Sequence, residues 1–115
     1  MKKLLPFIIA PLVLAVLPAT AGEFTALASY YGGHEYLNAR TASGERFRAS
    51  GLTAAHRTLP FGTRLNVCFA RCVVVRVNDR GPARWTGRDL DLSRGAAGAS
   101  GLLKAGVGRM RVTRL

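Results

Sequence analysis

Two apolar segments separated by three residues constrain this chain more than any other feature. Residues 63–68 and 72–78 both read as strands, with only Phe69-Ala70-Arg71 between them. So short a connection dictates an antiparallel hairpin. Cys68 and Cys72 flank the connection and are the chain's two cysteines. In an oxidising compartment a lone pair is expected to be bridged, with one possible connectivity. Closing so small a loop contributes only about 2 kcal/mol in the chain-entropy view. The competing reading is a metal site built from Cys68, Cys72, His34 and His56. The chain has no second cysteine pair and no histidine pair at ligand spacing, so no metal is expected.

The second strand contains Val73-Val74-Val75-Arg76-Val77, apolar at nearly every position. That pattern fits a strand buried on both sides or one curled into a small barrel. Asp79-Arg80-Gly81-Pro82 then breaks it with turn residues. Elsewhere, residues 24–31 alternate loosely and read as a strand, and residues 32–44 read as a loop. Residues 52–58 have the composition for one helical turn before Pro60. Leu90-Asp91-Leu92 reads as a short strand, and Ser93 is placed to cap a weak, glycine-punctured helix through Leu103. Residues 107–113 form a final strand with Met110 and Val112 on one face. Short strands, frequent glycine and little helix predict an all-β fold, a small barrel with one or two short helices.

The N-terminus is expected to stand apart from that fold. Met1-Lys2-Lys3, an apolar run over residues 4–17 and Ala19-Thr20-Ala21 follow the order of a secretory signal peptide, cleaved after Ala21. The run is short for a spanning helix, and Pro6, Pro11 and Pro18 disfavour one. No cysteine follows the cleavage site for lipid attachment. Residues 22–115 are then expected to be a periplasmic or secreted domain without a stable membrane anchor, acting as a monomer. Setting aside Lys2 and Lys3 leaves 15 basic residues against 6 acidic, and 14 of the 15 are arginine. Arginine grips carboxylates and phosphates in pairs, so the excess points to an anionic partner. Export excludes nucleic acid as that partner and favours the acidic polymers of the cell envelope.

Five segments, in order, carry a resemblance to a known family. They are Ala28-Ser29-Tyr30-Tyr31-Gly32, Thr41-Ala42-Ser43-Gly44-Glu45, the run from Leu52-Thr53-Ala54-Ala55-His56-Arg57 to Gly62-Thr63, the stretch ending Val77-Asn78-Asp79-Arg80-Gly81-Pro82, and Asp91-Leu92-Ser93. Together they resemble the peptidoglycan-cleaving module of the rare lipoprotein A family over residues 26–113. The resemblance implies a six-stranded double-psi β-barrel, related in outline to expansins. It also implies lytic transglycosylase activity, cleaving glycan strands that lack stem peptides and leaving 1,6-anhydro-muramic acid ends. Without the family's C-terminal glycan-binding repeat, septal recruitment is not expected of these residues.

The matched motifs place candidate catalytic residues at Asp79, Glu45 and His56. Lytic cleavage needs one acid that protonates the departing glycosidic oxygen and then deprotonates the sugar's own 6-hydroxyl. No water enters, no cofactor is required, and one carboxyl of raised pKa is the minimum. Asp79 is the first choice, at the end of a buried strand. Arg80 would lower its pKa on contact, but neighbouring strand residues face opposite ways. Glu45 beside it would push one carboxyl upward. His56 is a candidate to orient Asp79 or to hydrogen-bond the substrate. Tyr30, Tyr31 and Trp85 are candidates to stack on sugar faces, although one tyrosine of the adjacent pair is expected in the core. Arg76 and Arg80 head the arginines expected to bind glycan, with Arg46, Arg48, Arg57 and Arg88. The expansin-like alternative is a module that binds wall glycan without cutting it.

Overall fold

The hairpin forms where the sequence places it. A computed structural model of the chain describes residues 22–32 and 40–115. In it β3 (Arg64–Cys68) and β4 (Cys72–Asp79) pair antiparallel from Cys68 and Cys72 inward to Arg64 and Arg76. A disulfide joins Cys68 to Cys72 across the end of the ladder. The expected signal peptide and His34 lie outside the described residues.

Four further strands close the sheet on itself in the order β1-β5-β2-β4-β3-β6. They are β1 (Glu23–Tyr31), β2 (Thr53–Ala55), β5 (Leu90–Ser93) and β6 (Gly108–Arg114). The pairs β1·β5 and β2·β4 run parallel, and the remaining four are antiparallel. Among the described residues, closure leaves no open sheet edge for another chain to extend. The interior is filled by the alternate residues of each strand. Ala26, Ala28, Ala54, Leu65, Val67, Val75, Val77, Leu90, Leu92, Met110 and Val112 are all at most 1% exposed. Of the two readings of the valine run, the barrel is the one that forms. Val75 and Val77 enter the core, whereas Val74 and Arg76 face outward.

Residues 52–58 correct the sequence reading, because no helical turn forms there. Thr53–Ala55 is a strand, parallel to β4 and antiparallel to β5. One isolated turn gains too few hydrogen bonds to repay its ordering. The slot between β4 and β5 offers a ladder on both sides and buries all three residues.

One end of the barrel is plugged by the helices. Ser93 caps α1 (Arg94–Ser100) by accepting from the Ala96 N–H. The helix stops at Gly101, whose φ of 85° is left-handed and where a Cβ would sit 2.8 Å from the Ala70 Cβ. The chain then restarts as α2 (Leu102–Ala105), so the expected single helix through Leu103 is broken in two. Ala96, Ala97 and Leu102 join the core. The tip of the β3–β4 hairpin docks on the helix end, with the N–H groups of Ala70 and Arg71 donating to Ser100 O at 3.0 and 3.1 Å.

Candidate functional site

The site is built on the outer face of β1, β5, β2 and β4. Its key is an irregularity in β4. Ala54 pairs with Val77 but Ala55 pairs with Asp79, so one step of β2 spans two of β4. Strict alternation from Val75 and Val77 would send Asp79 into the core. The extra residue, Asn78, re-aims it outward, as bulges beside functional sites commonly do. There Asp79 Oδ1 accepts from the main-chain N–H groups of Ala42 and Arg80, each at 2.9 Å. Among the described residues Oδ2 has no partner, which leaves one fixed and one available oxygen.

Pairing lays out a row across four strands. Ser29, Asp91, Ala55 and Asp79 stand side by side and share the outer face. Ala55 is the small member, so a shallow trough separates Asp91 from Asp79 by two strand spacings, about 10 Å. Ser29 Oγ donates to Asp91 Oδ1 at 2.9 Å and accepts from the Arg88 guanidinium at 2.7 Å. Asp91 had no role in the sequence reading. Its signal was present, since Leu90 and Leu92 on either side face inward and turn the residue between them out.

The neighbouring row carries Tyr31, Ser93, Thr53 and Arg76. The segment that precedes β2 lies over it. Thr41 and Gly44 close a turn, Ser43 N–H donates to Asn78 O at 3.2 Å, and Phe47 packs against Tyr31 with ring centroids 5.4 Å apart. This positions Glu45 over Arg76 in a two-pronged ion pair, both contacts at 2.6 Å. The expected carboxyl-to-carboxyl repulsion is thus not what governs Glu45. Hydrogen bonding to Arg76, helped by Asn78 and the nearby Arg48, holds its carboxyl below the usual glutamate value.

Two buried polar atoms lack hydrogen-bond partners among the described residues, Tyr31 Oη and Asn78 Oδ1. Both belong to this site, and orphaned buried groups in a folded protein call for an explanation. Thr53 stands beside the tyrosine hydroxyl without a bond of sound geometry. Burial, reinforced by the charges of Asp79 and Asp91, pushes that hydroxyl up to about 12, so it remains a neutral donor.

The other sequence candidates are placed differently. His56 meets Asp79 through the main chain, its N–H donating to Asp79 O at 3.2 Å. Its ring lies edge-on to Phe24, and Nδ1 accepts from the N–H groups of Thr58 and Leu59. Burial, then the charges of Arg57 and Arg80, lower its pKa. The ring is therefore neutral with its proton on Nε2, and it shapes the turn rather than touching the Asp79 carboxylate. Arg80 does turn away from Asp79, as alternation predicts. Its guanidinium donates to Leu59 O at 2.8 Å and His56 O at 3.3 Å and sits 3.9 Å from the Phe61 ring centroid. Arg57 likewise holds Pro82 O and Arg88 O. Both guanidinium groups are anchored on main-chain carbonyls. Tyr30 packs against the core and Tyr31 is 8% exposed, so neither presents an open ring face. Trp85, 89% exposed on a 3-10 turn (Arg84–Thr86), does. No group of three or more metal-ligating side chains occurs among the described residues.

Comparison with known proteins places the chain in a family. The lytic transglycolase family matches residues 23–112. Probable endolytic peptidoglycan transglycosylase RlpA of Synechocystis sp. is 55% identical over 87 residues, 73% of this chain and 26% of that protein. The Nostoc sp. protein of the same name is 49% identical over 94 residues, covering 78% and 25%. Endolytic peptidoglycan transglycosylase RlpA of Pasteurella multocida is 47% identical over 90 residues, covering 75% and 30%. The chain thus spans between a quarter and a third of the length of these relatives. Among solved structures, the Streptomyces papain inhibitor superposes with a TM-score of 0.63 at 23% identity, over 81% of this chain and 94% of that one. That likeness concerns the fold. The crossed parallel pairs, the outward Asp79 and the match along nearly the whole described barrel lead to one assignment: the chain belongs to the lytic transglycolase family, as an RlpA-like double-psi β-barrel domain.

Proposed function

We propose that this domain acts outside the cytoplasm as an endolytic lytic transglycosylase, cutting peptidoglycan glycan strands and preferring those without stem peptides. The observation that carries the reading is the trough, where Asp79 and Asp91 flank Ala55 on one face and Asp79 Oδ1 is fixed by two main-chain N–H groups. Asp79 gives its proton from Oδ2 to the departing glycosidic oxygen as the bond to the anomeric carbon breaks. The carboxylate then takes the proton of the same sugar's 6-hydroxyl, whose oxygen attacks the anomeric carbon and closes the 1,6-anhydro ring. One proton leaves Asp79 and one returns, so no water is consumed. The names of the relatives agree with this chemistry. Preference for stripped strands rests on charge and access. Removing a stem peptide frees a lactyl carboxylate on each muramic acid and clears bulk from the groove, and Arg76 faces that groove.

A second reading, a module that binds glycan without cutting it, is favoured by the closed Glu45–Arg76 pair, which neutralises one of the two motif carboxylates. Incubation with amidase-treated sacculi separates the two. New anhydro-sugar ends seen by mass spectrometry support the enzyme. Pelleting with sacculi without such ends supports the binder, and neither result would reject both.

Tyr31→Phe tests the trough itself. Removing an unpartnered buried hydroxyl is expected to leave the unfolding free energy unchanged or raise it by up to about 1 kcal/mol. Glycan cleavage should fall, because the hydroxyl lies close enough to Asp79 and Asp91 to influence their charges from beneath the trough. A lowered thermal midpoint with unchanged cleavage would show that the hydroxyl is purely structural.

A further inference from the structure

We propose that Arg76 is a substrate-operated clasp: the free lactyl carboxylate of a stripped glycan strand displaces Glu45 from Arg76 and so uncovers the Glu45 anion beside the reacting sugar. The inference rests on the transglycosylase reading and explains how stripped strands would be favoured in the chemical step, beyond binding.

The geometry supplies each part. Glu45 and Arg76 meet two-pronged at 2.6 Å, yet both side chains are open to solvent, at 40% and 44% exposure. The pair is therefore one that an external carboxylate can reach, and water screens the attraction between its open side chains. A lactyl carboxylate offers the same two oxygens to the same fork. The exchange is further favoured across the strand. Arg64 pairs with Arg76 in the β3–β4 ladder, so two like charges face each other directly. Among the described residues Arg64 makes no ion pair, and Arg76 is the cation that grips the Glu45 carboxylate. A carboxylate arriving between them is attracted by both guanidinium groups.

The consequence for catalysis follows from charge. Paired with Arg76, Glu45 contributes almost no net field. Released, it is a full negative charge held over Arg76 on β4, the strand that carries Asp79 three residues further on, about 10 Å along it. Breaking a glycosidic bond builds positive charge on the anomeric carbon, and a fixed anion beside it lowers that barrier. A strand that keeps its stem peptides has its lactyl groups tied up as amides. It carries no anion there and leaves the clasp shut.

Two measurements test the proposal. The first needs no turnover. The Glu45 carboxyl is followed by carbon-detected NMR titration in the protein with N-acetylmuramic acid or with its neutral methylamide. The charged groups facing that carboxyl are Arg76 on β4 and Arg48 on its own segment, with the Asn78 amide alongside. The acid should move the Glu45 pKa upward toward the ordinary value and the methylamide should not. Equal response to both, or to neither, overturns the clasp. The second measurement compares stripped strands with the same strands after reduction of the lactyl carboxylates to alcohols. Wild type should lose about tenfold or more in kcat on the reduced strands. In Arg76→Gln, where Glu45 is never covered, kcat should differ less than about twofold between the two substrates, while KM for the native strands rises. Equal kcat on both strands in wild type overturns the clasp and leaves the transglycosylase reading intact. Failure of wild type to cut any strand, with the NMR response present, overturns that reading and leaves the exchange standing.

Discussion

Asp79→Asn is expected to lower the formation of anhydro-sugar ends by about 10²–10⁴-fold while leaving the barrel folded. An asparagine keeps an oxygen where Asp79 Oδ1 now accepts from Ala42 and Arg80, so the bulge and the overlying segment retain their two anchors. What disappears is a group that can give and retake a proton. Circular dichroism, the thermal midpoint and glycan pelleting should be close to wild type, and mass spectrometry should find no new anhydro ends. Undiminished cleavage by the variant would move the acid to Glu45 or to Asp91 across the trough.

Ser93→Ala is expected to have the largest effect on stability. This fully buried hydroxyl accepts from Ala96 N–H at the start of α1 and from Thr53 N–H at 3.3 Å, and it donates to Gly51 O. Loss of the cap costs about 1 kcal/mol, and the groups left unsatisfied in a dry interior add about 2 kcal/mol more. A deficit of about 3 kcal/mol corresponds to a fall in Tm of roughly 12–24 °C for a domain of this size. Cleavage at low temperature should survive better than after Asp79→Asn, since Ser93 holds β2 and α1 in place without facing the trough's carboxylates. A Tm within a few degrees of wild type would show that water replaces the lost bonds.

What was legible in the sequence is what neighbouring residues decide among themselves. The β3–β4 hairpin, the Ser93 cap and the alternation of Met110 and Val112 depend on spacing within a few positions, and each formed as read. Strand β2 was not legible, because three residues carry no period and their state is set by β4 and β5 on either side. The site divides in the same way. Glu45 and Asp79 were reached through their motifs, but the direction of Asp79 depends on one inserted residue that alternation cannot foresee. The Glu45–Arg76 pair joins positions 31 apart, and nothing local distinguishes Arg76 from Arg80, whose fork is turned onto carbonyls instead.

The strand order also fixes when this molecule can fold. β1 leads the described chain, yet its partners are β5 and β6, and its contacts with the β5 region link positions 62 apart. β3 in turn waits for β6. No leading portion of the chain can therefore close the barrel, and loop closure must bring distant segments together before β1 gains a partner. β3·β4 and β2·β4 are the pairings available before β5 appears, and the hairpin is the more local of the two. A chain emerging N-terminus first could pair its first five strands as an open sheet, and the barrel would close only when β6 bridges β3 and β1.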